Sequence, residues 1–127
     1  MAPFGILMEM GRPTATMSLV CFLTGDCSLY FSTGGGMIGG VGHQSVRTAA
    51  SGFVRASTAS LAAMDKTTDY PRPAADFVRF YLLTNQGVLT AECSEEDLGR
   101  QKVVLSPLYF AGQNVITQLR LLQEKQS

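Results

Sequence analysis

Apolar and polar residues alternate over the first third of the chain. Phe4, Ile6, Met8 and Met10 interleave with Gly5, Leu7 and Glu9, a period of two that predicts a strand over 4–10. The Gly11-Arg12-Pro13-Thr14 run punctuates it as a turn. A second alternation puts Met17, Leu19, Cys21 and Leu23 on one face and Thr16, Ser18, Val20 and Phe22 on the other. Both faces are fairly apolar, which suits a central strand. Thr24-Gly25-Asp26 is a tight hairpin signal, because glycine supplies the positive φ of primed turns. The third strand, 27–32, sets Leu29 and Phe31 opposite Tyr30. These three segments read as an antiparallel meander.

The period then changes. Val46, Ala49, Ala50, Phe53, Val54, Ser57, Leu61 and Met64 recur at helical spacing, with Arg47, Ser51, Arg55 and Thr58 on the opposite side. The spacing predicts an amphipathic helix from about Gln44 to Met64, or a shorter one, because Ser57-Thr58 weaken the propensity at its far end. Residues 65–75, polar with Pro71 and Pro73, read as a loop. A second hairpin follows, 77–84 and 88–93, turning at Asn85-Gln86-Gly87. Residues 94–102 are charged and polar, and 103–105 read as a brief strand. Ser106 as N-cap and Pro107 at the first helical position open a second helix, with Leu108, Ala111, Val115, Leu119 and Leu122 as its apolar stripe. It is expected to end near Gln123, with 123–127 as a frayed tail.

The expectation is one α+β domain over 1–127. It has two layers, a five-stranded and mostly antiparallel sheet with two helices, in the order β-β-β-α-β-β-α. The helices cover one face of the sheet, or one face each. An uncovered face would expose Val20, Phe22 or Tyr30, where a dimer partner or ligand would sit. The layout is similar to that of small two-layer modules such as the roadblock, longin and profilin-like domains. The initial helix is missing and a strand precedes the first hairpin. No residue motif carries the likeness, so it implies no site.

Composition narrows the function. The 127 residues are 46% hydrophobic and 16% charged, enough for one real core and far from the balance that keeps a chain disordered. Lys and Arg number 10, as do Asp and Glu, with no basic run, so no nucleic-acid partner is expected. Little charge repulsion opposes association, which favours a homodimer. Three cysteines, Cys21, Cys27 and Cys93, none in a CxxC pair, point to a reducing compartment, with the cytoplasm as default. Residues 1–10 carry Glu9 and no basic stretch, so they do not read as a signal peptide, and no membrane association is expected.

The stretch TGGGMIGGVGH, 33–43, is the most distinctive motif, with six glycines in eleven residues. Gly34, Gly36 and Gly39 match GxGxxG in form. A dinucleotide fingerprint needs a parallel βαβ unit with the helix starting at the loop, and this pattern lacks it. A broader reading is an anion nest leading into a helix N-terminus, with Gly34, Gly35, Gly36, Gly39, His43 and Arg47 as the ligand-binding set. The plainer reading is that these glycines mark a bulge or a close approach. His43, the one histidine, has no ligand-spaced partner, so no metal site is expected. Catalysis would need His43 with Cys27 or Ser45. The acidic residues Glu92, Glu95, Glu96 and Asp97 lack an EF-hand pattern. The resulting expectation is a non-catalytic, homodimeric interaction or regulatory module with no cofactor. The alternative is a binder of a small molecule or anion at the glycine-rich loop.

Overall fold

The computed structural model describes residues 1–39 and 42–126. Among them are seven strands: β1 (Pro3–Gly11), β2 (Thr16–Phe22), β3 (Cys27–Phe31), β4 (Gly36–Gly39), β5 (Asp65–Thr67), β6 (Phe77–Thr84) and β7 (Gly87–Ser94). Three α-helices accompany them: α1 (Gln44–Ala56), α2 (Glu95–Gly99) and α3 (Ser106–Gln126). The α+β class and the antiparallel sheet agree with the sequence. The strand and helix numbers do not.

All seven strands form one antiparallel sheet in the order β4-β3-β2-β1-β6-β7-β5. β1 lies at its centre. Ile6, Met8 and Met10 pair with Cys21, Leu19 and Met17 on one side and with Leu82, Phe80 and Val78 on the other. All three side chains of β1 are fully buried. The period-two alternation therefore defines one continuous apolar face, and α1 and α3 pack together on it. α1 contributes Val46, Ala50, Phe53 and Val54, and α3 contributes Leu108, Val115 and Leu119. A Cβ on Gly112 would come within 2.7 Å of Met8 and 3.0 Å of Phe53. The missing side chain lets α3 lie directly on β1. That approach compensates for the roughly 1 kcal/mol that glycine costs inside a helix.

Six sequence expectations need correction. The glycine-rich stretch contains the edge strand β4, whose Met37 and Ile38 pair with Leu29 and Ser28. The loop over 65–75 begins with β5, which pairs with Val88–Thr90 of β7. The helix expected over 44–64 is α-helical only to Ala56 and tightens to a 3₁₀ segment over Ser57–Ala63. There Ser57 Oγ donates to the Val54 carbonyl, a side-chain bond that competes with the helical ladder. The charged stretch over 94–102 contains α2, whose N-cap Ser94 accepts from the Asp97 amide at 3.2 Å. Glu95, Glu96 and Asp97 complement the positive end of this short helix. Residues 103–105 form a turn into α3, not a strand, with Leu105 buried and its carbonyl accepting from the Tyr109 amide at 3.0 Å. α3 continues past Gln123 to Gln126, while Ser127 lies outside the described residues.

A polar bracket ties the β1–β2 turn to both C-terminal helices. Arg12 Nη1 donates to Glu95 Oε1 at 2.8 Å, and the Tyr109 hydroxyl donates to Glu95 Oε2 at 2.7 Å. Burial, and then the hydrogen bond to the Glu95 carboxylate, push the Tyr109 hydroxyl from 10.0 up to about 12. Glu95→Ala strands both donors and is expected to cost about 1–2 kcal/mol in urea unfolding. The raised folded-state value means that the stabilisation linked to Tyr109 is complete below pH 10.0 and is lost as the pH rises through about 12. The fall in melting temperature over that alkaline window should therefore be shallower in Tyr109→Phe than in the wild type.

Candidate functional site

The glycine-rich stretch divides into parts with different tasks. Gly34 and Gly35, at φ +113° and +82°, close the β3–β4 turn. Gly36 and Gly39 bound β4. A Cβ on Gly39 would come within 2.5 Å of Leu119 Cδ2 and 2.9 Å of Val46 Cγ1, so this glycine lets the edge strand pass beneath both helices. Gly40 and Val41 lie outside the described residues. His43 is exposed as the N-cap of α1 and makes no side-chain capping bond. Arg47 lies one turn further on, its stem against the β2–β3 turn, where a Cβ on Gly25 would strike its Cγ.

The antiparallel hairpin sets the turn glycines and the helix start apart. Gly34 and Gly35 precede β4, whereas His43 and Arg47 follow it. The four residues of β4 span about 13 Å at roughly 3.3 Å per residue. Gly39, His43 and Arg47 thus share one end of the hairpin, and Gly34 and Gly35 occupy the other. The two nucleophiles considered with His43 differ in setting. Ser45 is exposed in the first turn of α1, while Cys27 is buried on the helix-facing side of β3. A shallow groove of about 690 Å³ runs between α1 and α3, lined by Ser45, Thr48, Ala49, Gly52, Asn114 and Gln118 among others.

The face of the sheet opposite the helices is built in two halves. Over β6, the segment 68–76 covers it. Tyr70 packs its ring 5.5 Å from that of Tyr81, the Tyr81 hydroxyl donates to the Pro71 carbonyl at 2.6 Å, and the Asp76 amide donates to the Gly11 carbonyl at 3.1 Å. Tyr81 is buried as a result. Its hydroxyl is held above the ordinary tyrosine range, chiefly by burial. Among the described residues, nothing covers the same face over β2, β3 and β4. Ile38 is 79% exposed, Tyr30 50% and Phe22 37%, and Val20 is half-buried among them.

Cross-strand register joins these side chains into rows. Ile38, Ser28, Val20 and Leu7 lie side by side across four strands. The neighbouring row is Tyr30, Ser18, Glu9, Arg79 and Glu92. In it Ser18 Oγ donates to Glu9 Oε2 at 2.6 Å, and Arg79 Nε lies 3.4 Å from Glu92 Oε1 as an ion pair. Arg79 also donates to Thr90 Oγ1 at 3.1 Å. The apolar patch therefore ends at a bonded polar border near β1 and runs unbordered to the sheet edge at Ile38. Alternation in the sequence places Val20, Phe22 and Tyr30 on this face. Ile38 was missed because glycines flank its strand.

The two kinds of glycine separate in a stability measurement. Gly39→Ala forces Leu119 and Val46 aside and is expected to cost about 2–3 kcal/mol in urea unfolding. Gly34→Ala meets nothing within 4 Å and pays only for its backbone, about 1 kcal/mol. Equal losses would contradict the close-approach role of Gly39.

No helix among the described residues is long and apolar enough to cross a membrane. Among those residues, no group of three or more His, Cys, Asp or Glu is placed to hold a metal ion. Comparison with protein-family models, with curated proteins and with solved structures finds no match to this chain.

Proposed function

We propose that the chain is a small non-catalytic interaction module that self-associates through the uncovered half of its sheet. The observation that supports this most is the patch of Ile38, Tyr30, Phe22 and Val20 on β2, β3 and β4. Large exposed apolar side chains gathered on one face mark contact surfaces. A second copy suits the patch better than a charged partner does. The chain carries 10 basic and 10 acidic residues, and the Ile38 row contains no charge, so a two-fold contact lays apolar rows on each other without opposing like charges. Sheets packed face to face in this way bury alternate side chains of each strand.

A small anion at the start of α1 is the second reading. It is favoured by His43, which leaves the capping position without a side-chain bond, and by the lack of an acidic residue in the first turn.

Ile38→Lys and Tyr30→Lys separate the two readings, because neither residue belongs to the core. Native mass spectrometry of the wild type should give a dimer, and each variant should raise its dissociation constant at least about tenfold, the equivalent of about 1.4 kcal/mol. A monomeric wild type would contradict self-association. A small molecule released on denaturation would favour the second reading.

A further inference from the structure

Two cysteines lie outside the surface described above. Cys21 of β2 and Cys27 of β3 are direct cross-strand partners, both on the helix-facing side and both buried. The hydrogen bonds around them define the type of pair. The Phe22 amide donates to Asp26 and the Ser32 amide donates to Thr16, both at 2.9 Å. Antiparallel strands alternate bonded and non-bonded pairs, so Cys21 and Cys27 form a non-hydrogen-bonded pair. At such sites the Cα atoms stand about 4.5 Å apart, inside the range of about 4.4–6.8 Å that a disulfide spans. Cys93 is on β7, three strand spacings from Cys21, or about 14 Å at roughly 4.8 Å each, and cannot substitute for either.

The two sulfurs differ. Cys21 donates a hydrogen bond to the Cys27 sulfur, and the Gly39 amide adds another. These bonds favour the Cys27 thiolate and hold it below the ordinary thiol range, against burial and the nearby Asp26 carboxylate. The bond to Cys27, with burial, pushes the Cys21 thiol far up. Cys27 is also the less enclosed of the two, 3% exposed against 0% for Cys21, and adjoins the exposed turn residue Asp26.

We propose that Cys21 and Cys27 are a reversible thiol–disulfide pair, closed by a small peroxide and opened by small thiols, with Cys27 as the sulfur that reacts first. In the first step the Cys27 thiolate attacks one oxygen of hydrogen peroxide. The O–O bond breaks, a sulfenic acid forms, and the departing hydroxide takes the proton that Cys27 gave up, leaving as water. In the second step the Cys21 sulfur attacks the Cys27 sulfur. The S–S bond forms, the S–O bond breaks, and the hydroxide takes the Cys21 proton. Two thiols and one peroxide thus give one disulfide and two waters. Two equivalents of a thiol reverse the closure by exchange.

The test uses the wild-type protein, treated with hydrogen peroxide and then alkylated with iodoacetamide. The expected result is a fall from three alkylated thiols to one, with a mass loss of two hydrogens located in the peptide that carries both Cys21 and Cys27. Dithiothreitol should restore all three. In Cys21→Ser the sulfenic acid should persist on Cys27 and be trapped by dimedone. In Cys27→Ser, Cys21 should stay a thiol. Three alkylatable thiols after peroxide, a chain-to-chain link through Cys93, or oxygen added to Cys27 with Cys21 still free would each overturn the proposal.

Discussion

The fold depends on how closely two helices approach one strand. β1 is hydrogen-bonded on both sides, so every other strand is placed by reference to it. Its inward side chains Ile6, Met8 and Met10 have no exposure, and Met8 lies directly beneath Gly112 of α3. Protein interiors tolerate little misfit, so this contact sets the depth of the helical layer. The depth in turn fixes the edge. With α3 held low, Leu119 and Val46 leave room only for a glycine at position 39 of β4. The glycine-rich stretch is thereby tied to the packing of the core as well as to a turn.

The same arrangement makes the two sheet faces unequal. Both long helices lie on one side. Among the described residues, the other side receives only the segment 68–76, anchored through Tyr70, Pro71 and Asp76. That segment joins β5 at one sheet edge to β6 beside the centre, so it crosses β7 and stops at Gly11. It does not reach β2, β3 or β4. The exposed patch follows from this connectivity, and the proposed self-association rests on it. The thiol pair is on the opposite, helix-facing side of the same strands, so its chemistry does not depend on the outer patch.

Much of the fold was legible in the sequence, and the failures have physical causes. Strict alternation made β1, β2, β3, β6 and β7 readable and assigned Val20, Phe22 and Tyr30 to one face. β4 was lost because glycines supply no side chain to alternate. β5 was lost because three residues do not establish a period. α2 carried a readable signal in Ser94 and Asp97, a capping pair that its many charges obscured. An apolar stripe shows that a helix packs, but not on which face of a sheet, so the placement of α1 and α3 together needed three dimensions. For the candidate site, nearness in sequence was misleading. Gly34 and His43 lie at opposite ends of a hairpin, while Cys21 and Cys27 directly face each other.

Isotope-filtered nuclear Overhauser spectroscopy on a mixture of labelled and unlabelled chains would decide whether the outer sheet face is where two copies meet, because it records only contacts between two copies. Self-association through the β2–β4 patch predicts intermolecular contacts from the Ile38 methyl groups to the rings of Tyr30 and Phe22. Intermolecular contacts confined to the groove between α1 and α3, or none at all in a sample that tumbles as a monomer, would contradict it.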